Sequence, residues 1–150
     1  MWAIYQLLAL RPPAYPDDLQ RMLDPSESVR VRKAALQAFG APRSPANLSL
    51  LRRGFEDPSP EVRRVAVEEA GLPEAVPFLR ERFQSDPSHE VRLAIVRQLG
   101  EIATPAAIET LNAIHSQAAE DAVREEAERA LATAGSKQTI CGIHNLLHFL

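Results

Sequence analysis

Aromatic residues are scarce in this chain: five Phe, two Tyr and one Trp make up 5% of 150 residues. The core must therefore be assembled from Leu, Val, Ile and Ala. That suits packed helices better than a β-sandwich, whose strands lean on aromatic and β-branched side chains. Cysteine is nearly absent. Cys141 stands alone, so no internal disulfide can form, and the expected setting is a reducing one, the cytoplasm. A basic surplus is missing as well: 17 Lys and Arg face 20 Asp and Glu, a formal charge of −3. Nucleic-acid binders draw most of their affinity from neutralised phosphates, so nucleic acid is disfavoured as a partner. Lysine is rare too. Fifteen of the 17 basic residues are Arg, which suits bidentate carboxylate pairing and equally suits a GC-rich genome. No apolar run reaches the length of a membrane span, and no membrane partner is expected. Met1 to Leu10 are mostly apolar, but Arg11 follows them rather than preceding them, the wrong order for a secretory signal. That stretch reads as a first helix packed on the next.

What is present is an internal repeat. Three segments begin alike, Asp24-Pro25-Ser26, Asp57-Pro58-Ser59 and Asp86-Pro87-Ser88, and each leads to a Val-Arg pair, Val31-Arg32, Val62-Arg63 and Val91-Arg92. A fourth pair, Val123-Arg124, follows Asp121. Nine residues after each of the first three Val stands a glycine: Gly40, Gly71 and Gly100. The pattern predicts a helix, type A, in each unit. Asp would cap its free N–H groups. Pro would sit in its first turn, where a missing N–H costs nothing. Gly would supply the left-handed residue that ends it.

A second helix, type B, is predicted to open at Ser44-Pro45, Leu72-Pro73 and Thr104-Pro105. Counting from these prolines, apolar residues recur three on (Leu48, Val76, Ile108), six on (Leu51, Leu79, Leu111) and, twice, ten on (Phe55, Phe83, with His115 in the third). Such steps put them on one helix face. Ser44 and Thr104 are good caps and Leu72 is not. Pro77 lies four beyond Pro73, so the second B helix should start late or bend. Residues 2–10 and 16–23 read as a shortened first pair. At the other end, Ser136 is expected to cap a last helix after Gly135, with Ile140, Ile143 and Leu147 in B-type register. The domain reading is thus a repeat array over 1–135 and a C-terminal segment over 136–150 that forms its last helix.

The sequence Asp-Pro-Ser-x-x-Val-Arg (Asp57 to Arg63, Asp86 to Arg92), a helix, Gly, a turn with Pro and a Leu-rich helix resembles the HEAT-like repeats first grouped with bilin lyases. The resemblance is good over 24–135 and weaker at both ends. It implies an all-α fold, an α-α superhelix or solenoid of about five antiparallel helix pairs, with B helices lining the concave face. The functions it implies are several: scaffolds and adaptors, bilin lyases, DNA alkylbase glycosylases and deoxyhypusine hydroxylase. The last holds two irons with His-Glu pairs directly after the Val-Arg of its repeats. The matching pairs here are Lys33-Ala34, Arg64-Val65, Leu93-Ala94 and Glu125-Glu126, none of them His-Glu, and His89-Glu90 precedes Val91 instead. The glycosylases need a basic channel and aromatic side chains around an extruded base, whereas the one Trp here is Trp2. No motif beyond the repeats ties the chain to a bilin.

Two residue sets remain as candidate sites. Cys141, His144 and His148 form Cys-x2-His-x3-His, but structural zinc wants four ligands and only three appear. The segment reads more simply as a packed terminal helix, so neither metal nor cofactor is expected. The recurring Asp and Arg of the motif read as capping and inter-repeat hydrogen bonds, because regular recurrence is how stacking is maintained. On the B helices, seven on from the prolines, stand Arg52, Arg80 and Asn112, with Arg53 and Arg82 beside them. Arg52, Arg53, Arg80 and Arg82 are the expected partner-binding residues, forming an Arg-rich stripe suited to an acidic protein. The expected function is a non-catalytic interaction or scaffold module. The alternatives are an enzyme or enzyme subunit of the bilin-lyase type and, behind it, a nucleic-acid binder. The first helix offers Trp2, Ile4, Tyr5 and Leu8, more apolar surface than one stripe needs. Either an oligomer forms through it or the chain is part of a longer array.

Overall fold

The computed structural model describes residues 20–40 and 44–147, with side chains as far as Lys137. Every regular element among them is helical. In chain order the α-helices are α1 (Val29–Gly40), α2 (Leu48–Phe55), α3 (Pro60–Glu69), α4 (Val76–Ser85), α5 (His89–Ile102), α6 (Pro105–Gln117) and α7 (Asp121–Leu147). Short 3-10 turns, Pro45–Asn47 and Pro73–Ala75, lead into α2 and α4. The helices thus alternate between A and B types as the repeat requires. None of them is long and apolar enough to cross a membrane. The chain divides into two compact units, Met1–Leu72 and Pro73–Leu150.

In the first unit α1 packs on α3, and α2 packs on both. Leu36, Phe39, Leu51, Phe55, Val62, Val65 and Val67 are buried there. A Cβ on Gly54 would come within 2.7 Å of both Leu36 and Ala66 side chains, so the missing side chain is what lets α2 settle on its two neighbours. In the second unit α5 packs on α4, α6 and α7, while α6 also packs on α4 and α7. Its core holds Leu79, Val91, Ile95, Val96, Leu99, Leu111 and Val123. The six-on residues of the B helices, Leu51, Leu79 and Leu111, are all essentially inaccessible, as their spacing predicts.

Three local expectations are corrected. The Asp residues of the motif do not cap the A helices. The helices start later, and the residues before α3 and α5 are Ser59 and Ser88. Ser88 accepts from Val91 N–H through its hydroxyl, as Ser28 does from Val31 N–H. Asp24, Asp57 and Asp86 instead accept the backbone N–H two residues on, from Ser26, Ser59 and Ser88, at 2.8–2.9 Å. Each builds a tight turn upstream of its helix. Pro25, Pro58 and Pro87 lie in those turns, outside the helices.

The repeat glycines are not left-handed either: no glycine among the described residues has a positive φ. Gly40 and Gly100 remain inside α1 and α5. Space, not backbone freedom, explains Gly100, where a Cβ would meet the backbone of Ala130 on α7 at 3.0 Å and its Cβ at 2.9 Å. Gly100→Val is therefore expected to destabilise the second unit by about 1–3 kcal/mol, through overpacking that a helical backbone cannot relieve. Chemical denaturation measures it, and an unchanged midpoint would show that the helices approach less closely.

The third correction concerns the chain's end. The helix runs on through Gly135 without the expected break. Ser136 does not cap a new helix. Its hydroxyl donates to the carbonyl of Ala132 one turn back, a bond of the helix interior. Of the five helix pairs expected, the first lies outside the described residues except for 20–23, and the last A helix is continuous to Leu147 with no separate B helix after it among the described residues. Other expectations hold. α4 does start late, with Pro77 in its first turn. Thr104 caps α6 by accepting from Ala107 N–H, whereas Ser44 makes no side-chain cap bond.

Candidate partner-binding site

In the first unit the burial of Leu48, Leu51 and Phe55 fixes the rotation of α2. Arg52 and Arg53 then fall on its exposed side, in the last turn. A cation at that end complements the partial negative charge of a helix C-terminus. Arg53 lines a shallow pocket of about 350 Å³ with Gln20, Arg21 and Asp24. The Asp24 carboxyl is held below its ordinary range, first by the Ser26 hydroxyl and backbone N–H. The charges of Arg53 and Arg32 help against a small desolvation. It stays ionised beside the two arginines.

In the second unit the two α4 arginines differ. Arg80 is exposed and makes no ion pair with any described residue. Arg82 is committed elsewhere: its Nε donates to Asp86 Oδ2 at 2.8 Å, and the Asp86 side chain has no exposure. Arg82 thus supports the turn before α5. The position on α6 equivalent to Arg80 is the exposed Asn112, which carries no charge. The units also differ in net charge. Residues 1–72 hold ten Lys and Arg against nine Asp and Glu, whereas 73–150 hold seven against eleven. An acidic partner is therefore repelled less by the first unit.

The recurring Asp and Arg of the repeat prove to be structural joints. Arg32 spans from α1 to the turn before α3, its Nε donating to Asp57 Oδ2 at 2.7 Å and its Nη2 to Asp57 Oδ1 at 3.0 Å. Both side chains are only 5% exposed, so water does not compete for the pair. The same guanidinium donates to the carbonyls of Pro25 and Glu27. Arg63 and Arg92 repeat this, donating to the carbonyls of Asp57 and Asp86 at 2.9 Å. No buried side-chain polar atom among the described residues lacks a partner.

Sequence reasoning missed Glu120. The fourth unit lacks Asp-Pro-Ser, and Glu120, at the position before α7, receives Arg92 Nη2 on one oxygen and His89 Nδ1 on the other, both at 2.6 Å. Desolvation acts to raise its carboxyl pKa, but the bonds from His89 and Arg92 outweigh it and hold the group below its ordinary value. An acidic residue just before Val-Arg was the available signal. His89 therefore serves a joint between helices. Among the described residues no three His, Cys, Asp or Glu side chains converge as metal ligands. Cys141, His144 and His148, like the apolar Trp2, Ile4, Tyr5 and Leu8, lie outside the residues whose side chains are described.

Paired A and B helices with arginine joints define the helical-repeat class. Residues 1–71 and 55–132 each match the family model for HEAT repeats. The chain belongs to the HEAT-repeat family. A comparison with curated proteins found no match.

Proposed function

We propose that the chain is a non-catalytic interaction module whose B-helix surface in the first unit docks an acidic segment of a protein partner. One observation carries the reading: Arg52 and Arg53 stand exposed on α2, in the unit that is not net acidic. Arg80, in the second unit, is not part of this surface, and Arg82, held by Asp86, is removed from the expected set. A carboxylate-bearing peptide would engage the guanidinium groups by charge-assisted, bidentate bonds on a rigid helix. Such contacts set partner choice and encounter rate more than bulk affinity. The scaffold role, the cytoplasmic setting and the bilin-lyase-type subgroup belong to this proposal, the last on the repeat motif alone.

The test uses a panel of acidic, neutral and basic peptides read by fluorescence anisotropy. Acidic peptides are expected to bind the wild type, and Arg52→Glu/Arg53→Glu to weaken them at least tenfold. Arg80→Glu should have little effect. Helicity and thermal midpoint should stay nearly unchanged, because exposed charges contribute little to stability. Acidic-peptide binding that survives the double reversal would remove α2 as the site.

A further inference from the structure

We propose that α7 is an electrostatically latched helix, released from α5 and α6 when its ion pairs are screened. This inference is independent of the acidic-partner reading. Its first support is how little apolar surface α7 contributes. Beyond Val123, its buried side chains among the described residues are the methyls of Ala127, Ala130 and Ala134. Five residues on from the repeat Val, the earlier A helices bury Leu36, Val67 and Val96. The matching residue of α7 is Glu128, whose side chain is 67% exposed. Hydrophobic attachment scales with apolar area removed from water, so over residues 121–137, where Leu131 adds only a half-buried side chain, this helix is held more weakly by it than its predecessors are.

The second support is what replaces that area. Ion pairs and hydrogen bonds tie α7 and the residue before it to both neighbours: Glu120 pairs with Arg92 and also meets His89, both at 2.6 Å, Glu126 pairs with Arg97 at 2.8 Å, and Glu128 meets His115 at 3.1 Å. Lys137 adds bonds to the carboxylate and the carbonyl of Glu101. At least one member of every pair is 39% or more exposed, so dissolved ions reach them all. The joint between α1 and α3 is the opposite case, with Arg32 and Asp57 closed to solvent. Exposed pairs are screened by salt and buried pairs much less so. Raised ionic strength should therefore loosen α7 and spare α3. Undocking uncovers the Gly100 face of α5, which is shaped for the close approach of another helix.

Native-state hydrogen exchange on the full chain, read by mass spectrometry, tests this. On raising NaCl from about 0.05 to about 0.5 M, which shortens the screening length roughly threefold, peptides from 121–137 are expected to exchange about tenfold faster, the sum of several weak pairs. Peptides from α3 and α5 should keep their rates. Glu120→Gln/Glu126→Gln should exchange fast in α7 at low salt and lose most of the salt response. Exchange in α7 that ignores salt overturns the latch. So does acceleration that spreads equally over α3, α5 and α7, which would report global loosening.

Discussion

Val62→Asp is expected to unfold the first unit. Val62 is fully buried on α3, the helix that packs on both α1 and α2. A carboxylate there would enter the same apolar core that buries Leu36 and Leu51. Burying an isolated charge costs far more than the total stability of a small domain, so the group would either neutralise or expel itself from the fold. The expected loss exceeds about 4 kcal/mol, placing the change among the rare severe ones. Circular dichroism should show lost helicity at neutral pH and partial recovery on acidification, where the introduced carboxyl is protonated. Native helicity at pH 7 would mean that α3 is free to rotate Val62 outward. Arg52→Glu/Arg53→Glu should behave differently: the core variant loses fold and binding together, the surface variant binding alone.

Asp57→Ala should be nearly as severe. It leaves the Arg32 guanidinium, 5% exposed, without its bidentate acceptor. It also removes the acceptor for the Ser59 N–H that shapes the turn before α3. Breaking a buried pair by removing one member costs about 3–5 kcal/mol, chiefly because the other charge stays buried. Urea denaturation should show a midpoint lowered accordingly. A second variant separates causes: Arg32→Met/Asp57→Leu removes both charges, and should recover part of the loss, since well-packed apolar replacements of a buried pair are often close to neutral. Recovery would be incomplete, because the carbonyls of Pro25 and Glu27 would lose the donor that Arg32 provides. If the double change were as damaging as Asp57→Ala, the turn rather than the charge pair would be the main element.

The architecture was legible because its signals are spaced at fixed intervals. The Leu51, Leu79 and Leu111 positions predicted one inward face per B helix, and those three leucines are buried, while Phe83 and Ile108 on the same faces are half-buried. The details went astray where one residue type serves several local ends. Asp before Pro-Ser looks like a cap, yet the same carboxylate geometry closes a turn with the N–H two residues on and receives an arginine from the preceding A helix. Gly100 looks like a helix stop, but only the position of Ala130 reveals that it is a contact point. Among the candidate site residues, spacing correctly put Arg52, Arg53 and Arg80 outside. It gave no sign that Arg82 is tied to Asp86, since an i,i+4 pair depends on the rotamers of both side chains. Glu120 escaped because its role passed to a different backbone position when the fourth unit lost its Asp-Pro-Ser.

The corner after α5 is turned by Ala103, held at φ 54° and ψ 21°. An L-residue enters that region at a cost of about 1–2 kcal/mol, which glycine escapes. Glycine, however, leaves the unfolded chain freer and so forfeits about 0.4–1 kcal/mol of its own. The strain is the larger of the two, so Ala103→Gly is expected to be neutral to slightly stabilising. Gly100, three residues earlier, has no such latitude, because the backbone of Ala130 occupies the space a side chain would need. Two positions three residues apart thus set opposite demands: the backbone at 103 tolerates a smaller residue than the one it holds, and the neighbour on α7 leaves no room for a larger one at 100.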